Sequence, residues 1–212
     1  MLRYTFRDWN LDKIDESFGL RQVKVLPALD GLLSYEFQPN DHEMMYLKQL
    51  QGVFELGGDD WNEVELENKF ISPLIVFSGI DNREFSYFLE RDMQVIINDI
   101  EISGKVDGMI ATGFRSPKKP YFCLNEYKKG TDPNGDPKGQ ALIAMLAAQT
   151  LNDADTPIYG CYVIGRHWNF MVLEGKEYAI STDYSCANLE IFDIYRIVKS
   201  LKVQIEKIIH IK

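Results

Sequence analysis

The chain has 212 residues, 45% hydrophobic and 26% charged, the composition of one globular domain with a full core and without the low apolar content of a disordered chain. Its net charge of −9 argues against a general polyanion binder, and no apolar run approaches the roughly 18 residues of a membrane span. The acidity is uneven: residues 1–100 hold 9 Lys/Arg against 19 Asp/Glu, residues 101–212 hold 14 against 13, and the stretch 103–140 is locally basic, which admits a phosphate-bearing partner there.

The N-terminal MLRYTFRDWN lacks the apolar core of a signal peptide. Cys123, Cys161 and Cys186 show no CxxC spacing, so reduced thiols and a cytoplasmic protein are expected. Residues 1–35 read as irregular, with a short helix around 11–18 and strand-like residues at 21–26. DHEMMYLKQLQGVFE (41–55) has apolar residues at helical spacing. GGDD (57–60) ends that helix and offers Asp59 or Asp60 as the cap of a second, over 61–78, which Pro73 kinks or ends. From 85 to 129, β-branched and aromatic residues predict an antiparallel meander of two to four strands. A polar loop (129–139) leads into an Ala- and Leu-rich helix (138–152). A hairpin about Gly165–His167, a short strand near 177–182 and a helix over 189–210 complete the chain. The expected fold is α/β, a central mixed β-sheet flanked by helices, with residues 1–55 as an N-terminal extension of open role and 56–212 as the functional domain.

Chemistry gathers at VDG and LNEYK. Successive residues of a strand alternate faces, so Leu124, Glu126 and Lys128 share one face, and Asp107 shares one with Met109 and Ala111. Alone, Glu126 and Lys128 are most economically a salt bridge on a solvated sheet. If Asp107 meets Glu126 across a strand pair, two carboxylates and an amine converge, and the carboxylates need a proton or a cation between them. Mg²⁺ suits such a site, because one or two carboxylates plus water and substrate phosphates hold it. The backbone carbonyl of Tyr127 is a further candidate ligand. Glu67 falls near the middle of the apolar arc made by Val64, Phe70, Ile71 and Leu74, where a carboxylate is costly unless paired or metal-linked. Gln140, in the first turn of a helix, aims its amide at the metal-site edge or a nucleic-acid backbone, or is an ordinary exposed first-turn residue. Lys118 and Lys119 read as a solvated loop tip.

A helix with Glu67, then VDG with Asp107, then LNEYK with Glu126 and Lys128, then a helix opening QALIA, resembles the PD-(D/E)xK nuclease superfamily. The QxxxA spacing of Gln140 and Ala144, and the hairpin that follows, resemble the nuclease domain of type I restriction-enzyme R subunits. The resemblance covers roughly residues 60–175 and the C-terminal helix, and Val106 stands where the motif's Pro would be. It implies a restriction-endonuclease-like core. It also implies Mg²⁺, with Mn²⁺ as a substitute, held by Asp107 and Glu126, with Glu67 reaching the metal, Lys128 assisting hydrolysis and Gln140 supporting it. The implied activity is phosphodiester hydrolysis of nucleic acid, as a DNA endonuclease, with targeting supplied by a homodimer or larger complex and no membrane partner. Two alternatives stand beside it. One is a catalytically inactive nuclease-fold protein that binds nucleic acid or another protein. The other is a structural protein with Glu67 far from Asp107 and Glu126.

Overall fold

The computed structural model describes residues 1–130, 135–152 and 156–210. Part of the polar loop expected over 129–139 lies outside them. A strand β1 (Leu2–Thr5) leads through a 3₁₀ turn (Phe6–Asp8) into α1 (Leu11–Phe18), β2 (Arg21–Gln22), α2 (Pro27–Leu33) and α3 (Asp41–Glu55). Residues 1–35 are therefore more ordered than their sequence suggests. Pro27 at the first helical position of α2 carried a start signal.

The second long helix is built in three parts: α4 (Glu63–Leu66), a π-helical turn (Glu67–Ile71) and α5 (Ser72–Phe77). Asn62 caps it, accepting the Glu65 N–H, while the Glu65 carboxylate accepts the Asn62 N–H. Asp59 and Asp60, the expected caps, instead fall in a 3₁₀ turn (Gly58–Asp60). Pro73 has no N–H for the carbonyl four residues earlier, and the helix widens just before it. The Ser72 N–H bonds the carbonyl of Glu67, five residues back.

Three antiparallel strands follow, β3 (Phe85–Ile97), β4 (Ile100–Thr112) and β5 (Lys118–Lys128), then α6 (Pro137–Asn152), β6 (Ile158–Ile164), β7 (His167–Glu174), β8 (Glu177–Ile180), β9 (Tyr184–Ser185) and α7 (Ile191–His210). The nine strands form one mixed sheet. Its main path runs β1-β4-β5-β6-β7-β8-β2, with β3 on β4 and β9 on β7. The first 55 residues thus contribute two strands to this sheet.

The sheet separates two cores. One face packs α2, α3, α5 and α7 through residues such as Leu32, Leu47, Phe70 and Ile194. The other packs α1 and α6 through Ile14, Leu142 and Met145 against Met109 and Leu124. From Gly139 to Ala148 every residue of α6 is buried, which explains its Ala-rich, weakly amphipathic sequence. No helix among the described residues is long and apolar enough to cross a membrane.

Candidate functional site

The site follows from how β4 is shared. β3 pairs with β4 along nearly its whole length, so β1 and β5 both lie on the opposite edge. β1 covers residues 100–103 and runs parallel to β4; β5 covers 108–112 and runs antiparallel. Their carboxyl ends therefore point at each other across residues 104–107. A cleft of about 470 Å³ opens in that split, lined by Arg7, Asp107, Glu126, Lys128 and Gln140 among others. A crevice beyond strand carboxyl ends, where the topology reverses, is the usual ligand position in open α/β sheets.

The ladder between β4 and β5 ends at the pair Gly108–Asn125, and one further step of that register sets Asp107 opposite Glu126. Asp107 turns back to accept the backbone N–H of Tyr127 through Oδ2 at 2.6 Å. Glu126 and Lys128 are 5% and 7% exposed, and their side chains pair at 2.9 Å. Lys128 Nζ also lies 3.3 Å from Glu63 Oε1, on the first turn of α4. In an extended strand the N–H and C=O of one residue face the same edge. The Tyr127 carbonyl therefore faces the Asp107 side, while the Lys128 carbonyl accepts the Gly165 N–H on the other. The Tyr127 side chain is anchored in the opposite core, its hydroxyl 2.8 Å from that of Tyr87 and accepting Asn125 Nδ2 at 3.1 Å.

Glu67 comes from the start of the π turn and is 8% exposed. Phe70, Ile71 and Leu74 are buried as the helical arc requires, but Val64 is 66% exposed, because the wider turn changes the phase of the face. Burial raises Glu67 to about 7, helped by the charges of Glu90 and Asp107. A fold with Glu67 remote from Asp107 would lack that interaction. Glu90 lies opposite Asp107 on β3, at the one step where the β3–β4 ladder skips a pair, and has a left-handed φ of 53°. A bulky residue there is strained by about 1–2 kcal/mol.

The electrostatics are one-sided. Burial raises Asp107 above the usual carboxylate range against the pull of the Tyr127 N–H and Lys128. Burial, then Asp107, raises Glu126 against the pull of Lys128. For Lys128, burial works against the charge, but Glu126, Glu63 and Asp107 outweigh it, so the amine stays protonated. Gln140 is 3% exposed, and its Nε2 has no hydrogen-bond partner among the described residues. It is buried, not the exposed first-turn residue that was one reading of its position.

Four of the sequence-derived residues, Asp107, Glu126, Lys128 and Gln140, line one cleft, and Glu67 lies within charge range of Asp107. Glu63, Glu90 and Arg7 were not foreseen. The Asn62–Glu65 capping spacing could have put Glu63 in a first turn; Glu90 and Arg7 carry no local signal. No family model matches the chain, and the search of curated proteins returned no match. The donor set, two strand carboxylates with a backbone carbonyl beside them, is the hard-oxygen chemistry that suits Mg²⁺. Among the described residues, no group of three or more His, Cys, Asp and Glu is already arranged to hold a metal.

Proposed function

We propose that this protein hydrolyses phosphodiester bonds in nucleic acid, with DNA as substrate and Mg²⁺ as cofactor, on a restriction-endonuclease-like core. The observation that carries the reading is the carboxylate excess in the cleft. Glu126 and Glu67 are buried, Asp107 is half-buried, all three are raised, and the buried lysine, Lys128, is paired to Glu126. Such a cluster is stabilised by a cation, and it is costly to keep otherwise. Asp107, Glu126 and the Tyr127 carbonyl would hold the metal, with Glu67 at its outer edge. Bound there, Mg²⁺ supplies a Lewis acid for the phosphate and a lowered pKa for the attacking water.

The chain's own residues then have distinct tasks. Lys128 is held protonated, so it stabilises charge on the phosphate and does not take the proton from water. Glu63 holds its stem end in place from α4. The Tyr127 N–H fixes the Asp107 carboxylate, and the Tyr87–Tyr127 pair anchors the strand behind it. The test is cleavage of single-stranded and duplex DNA in Mg²⁺ or Mn²⁺ by wild type, Asp107→Asn and Lys128→Ala. Metal-dependent cleavage lost in both variants supports the reading. No cleavage by the wild type, or equal cleavage by the variants, contradicts it.

One observation favours the second reading, a nuclease-fold protein that binds without cutting. Lys128 is closed onto Glu126 at 2.9 Å, which neutralises one proposed ligand internally. Calorimetric titration with Mg²⁺ separates the two. The binding-only protein takes up no metal that Asp107→Asn abolishes.

A further inference from the structure

The Asp107 cleft adjoins a second, of about 710 Å³, and the two share Arg7, Glu63, Lys128 and Gln140 as walls. Together they make one groove running from the end of β5 past the start of α6. Two features on its α6 side have no internal partner among the described residues. The Gln140 amide is 97% removed from solvent, yet its Nε2 donates to nothing among the described residues. A buried donor left unpaired costs about 1–3 kcal/mol. Arg7 is exposed, lines both clefts, and pairs with no carboxylate among the described residues.

Arg7 is held there by construction. It sits in the 3₁₀ turn after β1, closed by the Thr5 N–H and hydroxyl on Asp8 Oδ2 at 2.6 and 2.8 Å. Phe6, one residue before, is buried against Gly104, where a Cβ would lie 2.4 Å from the ring. Two residues after, the backbone of Trp9–Asn10 packs on Gly139, where a Cβ would lie 2.5 Å from the Trp9 carbonyl oxygen. Only glycine permits either approach. The two contacts tie the Arg7 turn to β4 on one side and to the first turn of α6, next to Gln140, on the other.

We propose that Arg7 and the Gln140 amide form a phosphate subsite that holds a non-scissile phosphodiester of the substrate strand beside the Asp107–Glu126–Lys128 centre. The subsite rests on the nucleic-acid part of the function proposed above. It makes the N-terminal strand a working part of the site. The chemistry matches the ligand: a guanidinium fork and an amide N–H, at the N-terminal end of a 16-residue helix, favour a singly charged phosphodiester oxygen. Glu63 and Glu65 on the opposite wall restrict that preference to the Arg7 side of the groove.

Equilibrium binding of a short labelled DNA oligonucleotide, followed by anisotropy in EDTA so that no cleavage occurs, tests this. Arg7→Ala is expected to weaken binding about tenfold and to lower the slope of log affinity against log salt by about one. Arg7→Lys recovers part of the loss. Gln140→Leu weakens binding while the melting temperature holds or rises, because it removes an unpaired buried donor; an amide needed only by the fold would lower it. Lys118→Ala removes the same charge about 17 Å along β4 from Asp107 and leaves binding unchanged. Wild-type affinity and salt slope in Arg7→Ala overturn the subsite and leave the hydrolytic reading standing. Loss of binding in Arg7→Ala, with no cleavage by the wild type in Mg²⁺, supports the subsite and overturns hydrolysis alone. Absence of DNA binding by the wild type overturns the subsite, and cleavage in Mg²⁺ then decides the hydrolytic reading by itself.

Discussion

Two buried glutamates in this molecule each sit 2.9 Å from a lysine, and they behave in opposite ways. Glu43, at the start of α3, is 9% exposed. Burial alone would raise it, but the Asn40 N–H, Lys199 and the Tyr195 hydroxyl together hold it below its ordinary value. Every oxygen there has a donor, at 3.0 Å from Asn40 and 2.9 Å from Tyr195. Glu126 is also buried, yet its carboxyl is raised, because burial, with the Asp107 charge beside it, outweighs the pull of its lysine. The Glu43 cluster is complete and ties α3 to α7. The Glu126 cluster has more carboxylates than donors. A buried Glu–Lys pair is therefore no sign of a site in itself; the surplus of negative charge is.

The largest test of that contrast is paired mutation. Asp107→Asn is expected to cut cleavage by about 10³-fold or more while raising the melting temperature by about 2–4 °C, the shift given by about 1 kcal/mol in a chain of this length. Glu43→Gln should do the reverse, leaving cleavage intact and lowering stability by about 1–3 kcal/mol in denaturant titration. Loss of stability in Asp107→Asn would erase the contrast.

Mg²⁺ or Mn²⁺ at about 100 times its dissociation constant should add about 2.7 kcal/mol to wild-type stability, read by thermal unfolding, and nothing to Asp107→Asn. The metal-free protein should also respond to pH. Glu67 titrates near 7 in the folded chain against 4.5 for the free side chain, so the folded state binds more protons between those values. Stability then falls as pH rises through that window, and Asp107 and Glu126 act in the same direction. A flat or rising profile would show that the carboxylates are already neutralised. The smallest effect belongs to Glu63→Gln. That carboxylate is 40% exposed and 3.3 Å from Lys128, so its loss should change kcat about fivefold or less.

The sequence made the local parts of this molecule legible. The apolar spacing of 41–55, the β-branched run of 85–129 and the hairpin at Gly165 correspond to α3, the β3–β5 meander and β6–β7. The convergence of Asp107 with Glu126 was legible too, because it needs only an antiparallel neighbour in register. The split in the edge of β4 was not. It depends on β1 pairing in parallel with residues about 98 positions later, and no local period encodes that. The same long-range pairing hid Arg7. Glu67 was singled out as a carboxylate on an apolar arc, but the π turn that carries it arises from Pro73, six residues downstream, which reads in sequence only as a kink. Glu90 was invisible because its importance lies in a left-handed backbone that glutamate does not favour.

The central claim is the proposed binding of Mg²⁺ in the split between β1 and β5. The most direct measurement is anomalous diffraction from a crystal soaked in Mn²⁺. The account predicts a peak within about 2.0–2.2 Å of oxygens of Asp107 and Glu126, with Lys128 Nζ displaced from Glu126. An empty cleft in that crystal, with Lys128 still bound to Glu126, would contradict it.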